Sequence, residues 1–179
     1  MAKGRADPLF DSYYWKKIAV ALLINALTVP TIIILLFWFG IIDKPFSDII
    51  KKFQSGYPLF FVPLKDFFSF FLENTFKVAI FEELYSRGPI RIATAVLFLL
   101  NIDKNRVLTS ALWVGGLVLN YGWALTHVTH EYAWVPVFVA GASWLWLTIE
   151  TKRLWPSIFC HATANLSIYF LIKIYQLIY

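Results

Sequence analysis

Residues 18–41 run for 24 positions without a charged side chain. At about 1.5 Å per residue, a helix of that length crosses a hydrocarbon layer of about 30 Å. A secretory leader has a shorter apolar core and a small-residue cleavage site. This run is too long for that and closes on Phe37-Trp38-Phe39-Gly40, so it reads as a retained span. Backbone N–H and C=O groups must be satisfied inside lipid, and a helix does so within one segment. Pro30 sits mid-run and predicts a kink. A chain with such a stretch is expected to be built in a membrane, and the rest can be parsed against it.

Residues 43–66 are mixed and read as a loop with a short interfacial helix, partly re-entrant. A long helix is expected over 67–101. Asn101-Ile102-Asp103-Lys104-Asn105-Arg106 is a polar hairpin, followed by spans at 107–129 and 133–149. Glu150-Thr151-Lys152-Arg153 is a second polar turn, and 155–178 is the last span. The fold class is therefore all-α: a polytopic transmembrane helix bundle of about five spans, or six if 67–101 divides. Apolar residues make up 59% of the 179 and mean hydropathy is +0.65, which favours an integral membrane protein over a soluble domain. Eight Trp and nine Tyr suit two interfaces that need anchors.

The net charge of +5 is modest and reads as contact with anionic head groups of a lipid bilayer. No basic cluster interleaved with exposed aromatics suggests a nucleic-acid groove. One cysteine, Cys160, excludes an internal disulfide and a Cys-rich metal knuckle, and reads as a small packing residue. With five spans and the N-terminus inside, Lys3, Arg5, Lys16, Lys17, Lys104, Arg106, Lys152 and Arg153 lie inside. Lys44, Lys51, Lys52, Lys65 and Lys173 lie outside. The excess inside predicts a cytoplasmic N-terminus in the cell membrane.

Against this background, Glu82-Glu83-Leu84-Tyr85-Ser86-Arg87-Gly88 needs an explanation. A charge at a helix centre in a membrane costs roughly 2.5–3.5 kcal/mol on insertion scales. On a helix, Glu83 and Arg87 are four apart and share a face, acid before base. Glu82 is rotated about 100° away and lacks that partner. A carboxylate without a partner in low dielectric can serve as a base. Glu73 and Lys77 repeat the four-residue spacing nearer the head groups. Three histidines complete the polar set. His127 ends the third span one turn after Trp123, His130 reads as an interface residue, and His161 faces the same way as Asn165. An unpaired glutamate, two histidines and an asparagine on three helices can build a water-activating site. Depth is the difficulty. Glu82 and His127 each lie 21 residues from the 101–106 hairpin, but His161 lies only 8 beyond Arg153. Straight helices would leave a gap of up to about 20 Å. Tilt, a bend at Pro89 or an outlying hairpin must close it.

Glu82-Glu83-x-x-x-Arg87-Gly88, the aromatic-x-x-x-His element at 123–127, and Leu154-Trp155-Pro156-Ser157 leading to His161-x-x-x-Asn165 occur in that order. Together they resemble the CAAX protease and bacteriocin-processing family of intramembrane endopeptidases, which includes the type II CAAX prenyl endopeptidases. The resemblance covers about residues 70–170. Residues 1–17 read as a polar arm and 18–66 as a first span plus interfacial loop, and the resemblance implies that 67–178 is the protease core. It implies Glu82 as the catalytic glutamate that activates water with His127. His161 and Asn165 would stabilise the oxyanion, with Glu83 and Arg87 supporting. Trp123 departs from the Phe more common at that place, for which a packing change is expected. The family is commonly labelled a metalloprotease group, and Glu82, His127 and His161 can ligate zinc with water in the fourth position. Yet no His-Glu-x-x-His is present, and a metal-bound glutamate is a poor free base, so a metal-free glutamate mechanism is equally open. The substrate would be a peptide or protein: a prenylated CAAX tail, a bacteriocin leader or another membrane-anchored peptide. The rival classes are a non-catalytic immunity or scaffold protein using the same cavity, and a small transporter, for which no paired broken helices or internal repeat speaks.

Overall fold

The computed structural model describes residues 11–43, 45–127, 132 and 134–178. Lys3, Arg5, Lys44 and His130, used above for orientation or as an interface residue, lie outside the described residues. All regular structure among the described residues is helical. Helix α1 (Ser12–Trp38) opens on an Asp11 cap whose carboxylate accepts the Tyr13 N–H. It continues through Pro30 and ends before Gly40, which has a φ of +65°. That left-handed turn suits glycine. Helix α2 (Phe46–Gly56) is short and amphipathic, with Lys51 and Lys52 exposed, as expected of an interfacial segment. Two short 3-10 turns, Pro58–Phe61 and Leu64–Asp66, lead into α3 (Phe67–Phe70).

The expected long helix from residue 67 is continuous to Leu99, but not uniform. Between α3 and α4 (Ala79–Leu99), Phe71–Val78 winds as a π-helix. Glu73 and Lys77 pair across it at 2.9 Å on an exposed face. Helix α5 (Arg106–Leu125) is capped by Asn105, whose side-chain oxygen accepts the N–H groups of Val107 and Leu108. Helices α6 (Trp134–Thr151) and α7 (Trp155–Ile178) complete the bundle. The five long helical stretches fall where the five spans were expected. Helix α5 stops at Leu125, four residues short of the span expected to 129.

Helices α1, α5 and α7 are long and apolar enough to cross a membrane by length and composition. Leu23, Leu27 and Ile34 of α1 stand well exposed, while only Ile18 and Ala21 are buried. Such a surface needs lipid rather than water beside it. Helix α6 is central and packs against α1, α4, α5 and α7. Three polar ties gather one end of the bundle. Lys17 of α1 bonds Glu150 at 3.0 Å, the Tyr13 hydroxyl donates to the same residue, and Lys152 bonds Asp103 at 2.8 Å. The start of α1 and both polar turns thus sit together, the arrangement of a chain that crosses five times. At the other end Phe60, Phe70 and Tyr169 form an aromatic cluster, with the Phe70 and Tyr169 rings stacked 4.3 Å apart.

Candidate active site

Helix α4 buries Glu83, Ser86, Arg87, Ile90 and Thr94, which is one face of a 3.6-residue period. Glu82 stands at the edge of that face. Glu83 and Arg87 pair as their spacing predicts: Arg87 Nη1 donates to Glu83 Oε1 at 2.6 Å with both side chains almost wholly buried. Both terminal nitrogens of Arg87 are held, while its Nε–H is buried without a hydrogen-bond partner among the described residues. Nη1 also donates to Ser86 Oγ at 2.8 Å, and Nη2 donates to Asn120 Oδ1 at 2.8 Å and to the Gly141 carbonyl at 3.1 Å. The guanidinium lies over the rings of Trp123 and Trp144, 4.8 and 5.4 Å from their centroids. Asn120 is fixed in turn by donating to the Phe138 carbonyl. The approach of α6 depends on Gly141 having no side chain. A Cβ there would meet Asn120 Oδ1 and would lie 2.6 Å from Arg87 Nη2.

Glu83 has a second partner that the spacing argument did not foresee. His161 Nδ1 lies 3.0 Å from the same Oε1 that binds Arg87. The His161 ring stacks on Trp144, with centroids 4.5 Å apart and planes 19° apart. An ion-paired carboxylate can only accept, so Nδ1 of His161 carries the ring hydrogen and donates it. His127 is set the same way. Its Nδ1 lies 3.0 Å from the Trp123 carbonyl, also an acceptor only, and its ring packs against the Trp123 indole.

Both histidines therefore turn Nε2 outward, and both face Glu82 Oε2, at 3.4 Å for His127 and 3.6 Å for His161. The Trp123 indole N–H donates to that same oxygen at 2.9 Å. Glu82 is half-buried, unlike Glu83. Two bare ring nitrogens and a carboxylate oxygen turned to one another call for hydrogens. A water that donates one hydrogen to Oε2 and the other to an Nε2 satisfies this corner.

The structure thus brings together Glu82, Glu83, Arg87, His127 and His161, and it closes the depth gap. Sixteen residues of α4 separate Glu82 from Phe98, about 24 Å, while His161 is only six residues, about 9 Å, into α7. Lys152 nevertheless meets Asp103 and stands over the Phe98 ring. Helices α4 and α7 pack so that His161 meets Glu82 despite the unequal residue counts, helped at the other end by the reach of the Lys152 side chain. Asn165 follows His161 by one turn. Its amide donates to the Asn74 carbonyl at 3.1 Å, on the π-helical segment. Its side chain makes no hydrogen bond to Glu82 or to either histidine among the described residues.

Zinc is the one cofactor the residue types suggested. Among the described residues no three histidine, cysteine or carboxylate side chains form a metal-ligand set. The Glu82 oxygen that faces both rings already accepts the Trp123 N–H. These residues do not fit a metal in this arrangement.

Three contributors were not singled out by the sequence. Asn120 was legible, since 120, 123 and 127 lie on one face of a helix. The Trp123 N–H was hidden behind the expectation of a packing change. Trp144 was one of eight tryptophans with nothing to mark it. A family model described as type II CAAX prenyl endopeptidase Rce1-like matches residues 64–167. Comparisons with curated proteins and with solved structures each find no match.

Proposed function

The chain belongs to the Rce1-like family of type II CAAX prenyl endopeptidases, matched over more than half its length, and from that premise we propose that it is an intramembrane endopeptidase that works by water activation. The observation that carries the proposal is the meeting of Glu82 Oε2 with two outward-facing imidazole nitrogens.

Water donates one hydrogen to Glu82 and the other to His127. As its oxygen attacks the carbonyl carbon of the scissile amide, the first proton passes to Glu82 and the carbonyl π pair moves onto oxygen. Collapse of the tetrahedral adduct expels the amine, which takes the proton from Glu82 as the C–N bond breaks. The products are a carboxylic acid and an amine, with the glutamate returned to its starting form. His161 and Asn165 serve the oxyanion in this proposal, as the family resemblance implies. Asn165 keeps a second amide N–H beyond the one given to Asn74. Glu83 fixes the His161 ring through Nδ1. Glu83 and Arg87 position and do not react. No step passes through a metal.

The substrate in this reading is a peptide or protein held at the membrane, with a prenylated CAAX tail as the first candidate. The core spans 67–178, preceded by the first span and the interfacial loop. The N-terminus and both polar turns lie on the cytoplasmic side of the cell membrane. Purified protein in detergent, given a farnesylated CAAX peptide and its unprenylated twin, tests the proposal. Glu82→Gln is expected to lower turnover by about 10²–10⁴-fold without changing the melting temperature. A Glu82→Gln protein that cleaves at the wild-type rate removes it.

A further inference from the structure

Hydrogen-bond donors around Glu82 can be followed one by one. The Trp123 indole N–H goes to Glu82 itself. The His127 Nδ1 hydrogen goes to the Trp123 carbonyl, and that of His161 goes to Glu83. Arg87 spends Nη1 and Nη2 on Glu83, Ser86, Asn120 and Gly141. Asn165 gives one N–H to Asn74. A carbonyl oxygen that becomes an anion beside this carboxylate needs a donor that is not already engaged.

One such group stands at the site and comes from outside the matched residues 64–167. Tyr57 caps the end of α2, at the start of the first 3-10 turn. Its ring lies parallel to that of His127, with planes 18° apart and centroids 6.2 Å apart. It also packs against Phe53 at 5.1 Å and Phe60 at 6.3 Å, and Phe60 belongs to the buried cluster with Phe70 and Tyr169. The ring is thus held by its aromatic neighbours. Its hydroxyl makes no hydrogen bond among the described residues, and the residue is half-buried. Burial and then the charge of Glu82 raise the pKa of the hydroxyl, so the proton stays on it.

We propose that the Tyr57 hydroxyl donates to the carbonyl oxygen of the scissile amide, so that the connection between α2 and α3 supplies a substrate-contacting donor to the site. The inference rests on the endopeptidase reading and extends it to a segment that the family match does not reach. It also assigns a use to the brace of Phe53 and Phe60: a donor aimed at a developing charge works only if its direction is fixed beforehand.

Tyr57→Phe is the test, because it removes the oxygen and keeps the ring contacts, so folding is not at stake. Turnover of the farnesylated CAAX peptide is measured for wild type, Tyr57→Phe and Glu82→Gln side by side. The expected result is a fall in kcat of about 10²-fold for Tyr57→Phe with KM and melting temperature little changed. Wild-type kcat in Tyr57→Phe, or a rise in KM alone, overturns the inference while an inactive Glu82→Gln leaves the endopeptidase reading standing. An active Glu82→Gln overturns both.

Discussion

Glu82 and Glu83 are neighbours in sequence, yet they belong to two regions with opposite design. Around Glu83 the bundle is sealed. Arg87, Ser86, Asn120, Gly141 and His161 close on one another, with the rings of Trp123 and Trp144 against the guanidinium. Around Glu82 the bundle is open, and two imidazole nitrogens and one indole N–H converge without filling the corner. The sealed region holds directions and the open one is left to react. A site inside a membrane needs both, because a reacting carboxylate cannot also be the salt-bridge partner that makes a buried arginine affordable.

If that division is right, substitutions should separate fold from rate. The largest effects come first. Arg87→Ala strands Glu83 in the core, and breaking a buried pair costs about 3–5 kcal/mol, so folded protein in detergent should largely be lost. Glu82→Gln should do the reverse, keeping the melting temperature and losing the reaction. Arg87→Ala that melts like wild type would erase the distinction between the two regions.

Trp123→Phe sharpens the boundary between them. Phe keeps an aromatic face for Arg87 but lacks the N–H that Glu82 accepts. A hydrogen bond to a charged group contributes about 1.5–3 kcal/mol, so kcat should fall by roughly 10- to 100-fold with little loss of stability. Full activity in Trp123→Phe would mean that the indole is packing alone and that Glu82 holds its place without it.

The smallest effect lies far from both regions, at the tie between the two polar turns. The hydrogen bond from Lys152 holds the Asp103 carboxyl below its usual range. A carboxyl that is more acidic in the folded chain than in the unfolded one stabilises the fold above its unfolded pKa. That contribution is lost as pH falls through the folded value. The window therefore lies below about pH 4. Melting curves of wild type and Asp103→Asn should differ slightly at pH 6 and converge as the pH falls below about 4. A difference that persists in acid would mean that the charge on Asp103 is not what matters there.

Much of this was legible in the sequence because the membrane simplifies the grammar. Uncharged runs marked the helices, polar turns marked their ends, and the three-and-four spacing put Glu83 on Arg87. What stayed hidden depended on directions that residue order does not carry. His161 meets Glu82 although their residue counts from the polar turns differ, and no count along a straight helix shows it. The π-helical winding at 71–78 lies beside Asn165, and its Asn74 carbonyl takes one of the two Asn165 amide hydrogens. Trp123 looked like a larger Phe, since only its position relative to Glu82 makes the indole nitrogen matter.

The enclosure of Arg87 has a consequence for how the chain is made. Of the groups that neutralise and bind the guanidinium, only Glu83 and Ser86 lie on its own helix. Asn120 arrives with α5 and Gly141 with α6, both translated later. When α4 first enters the bilayer, Arg87 has one carboxylate and one hydroxyl for company, and insertion of the charge is at its most costly. Helices α4, α5 and α6 must therefore settle as a group, and a truncation that ends before residue 141 should leave α4 without a stable place in the membrane.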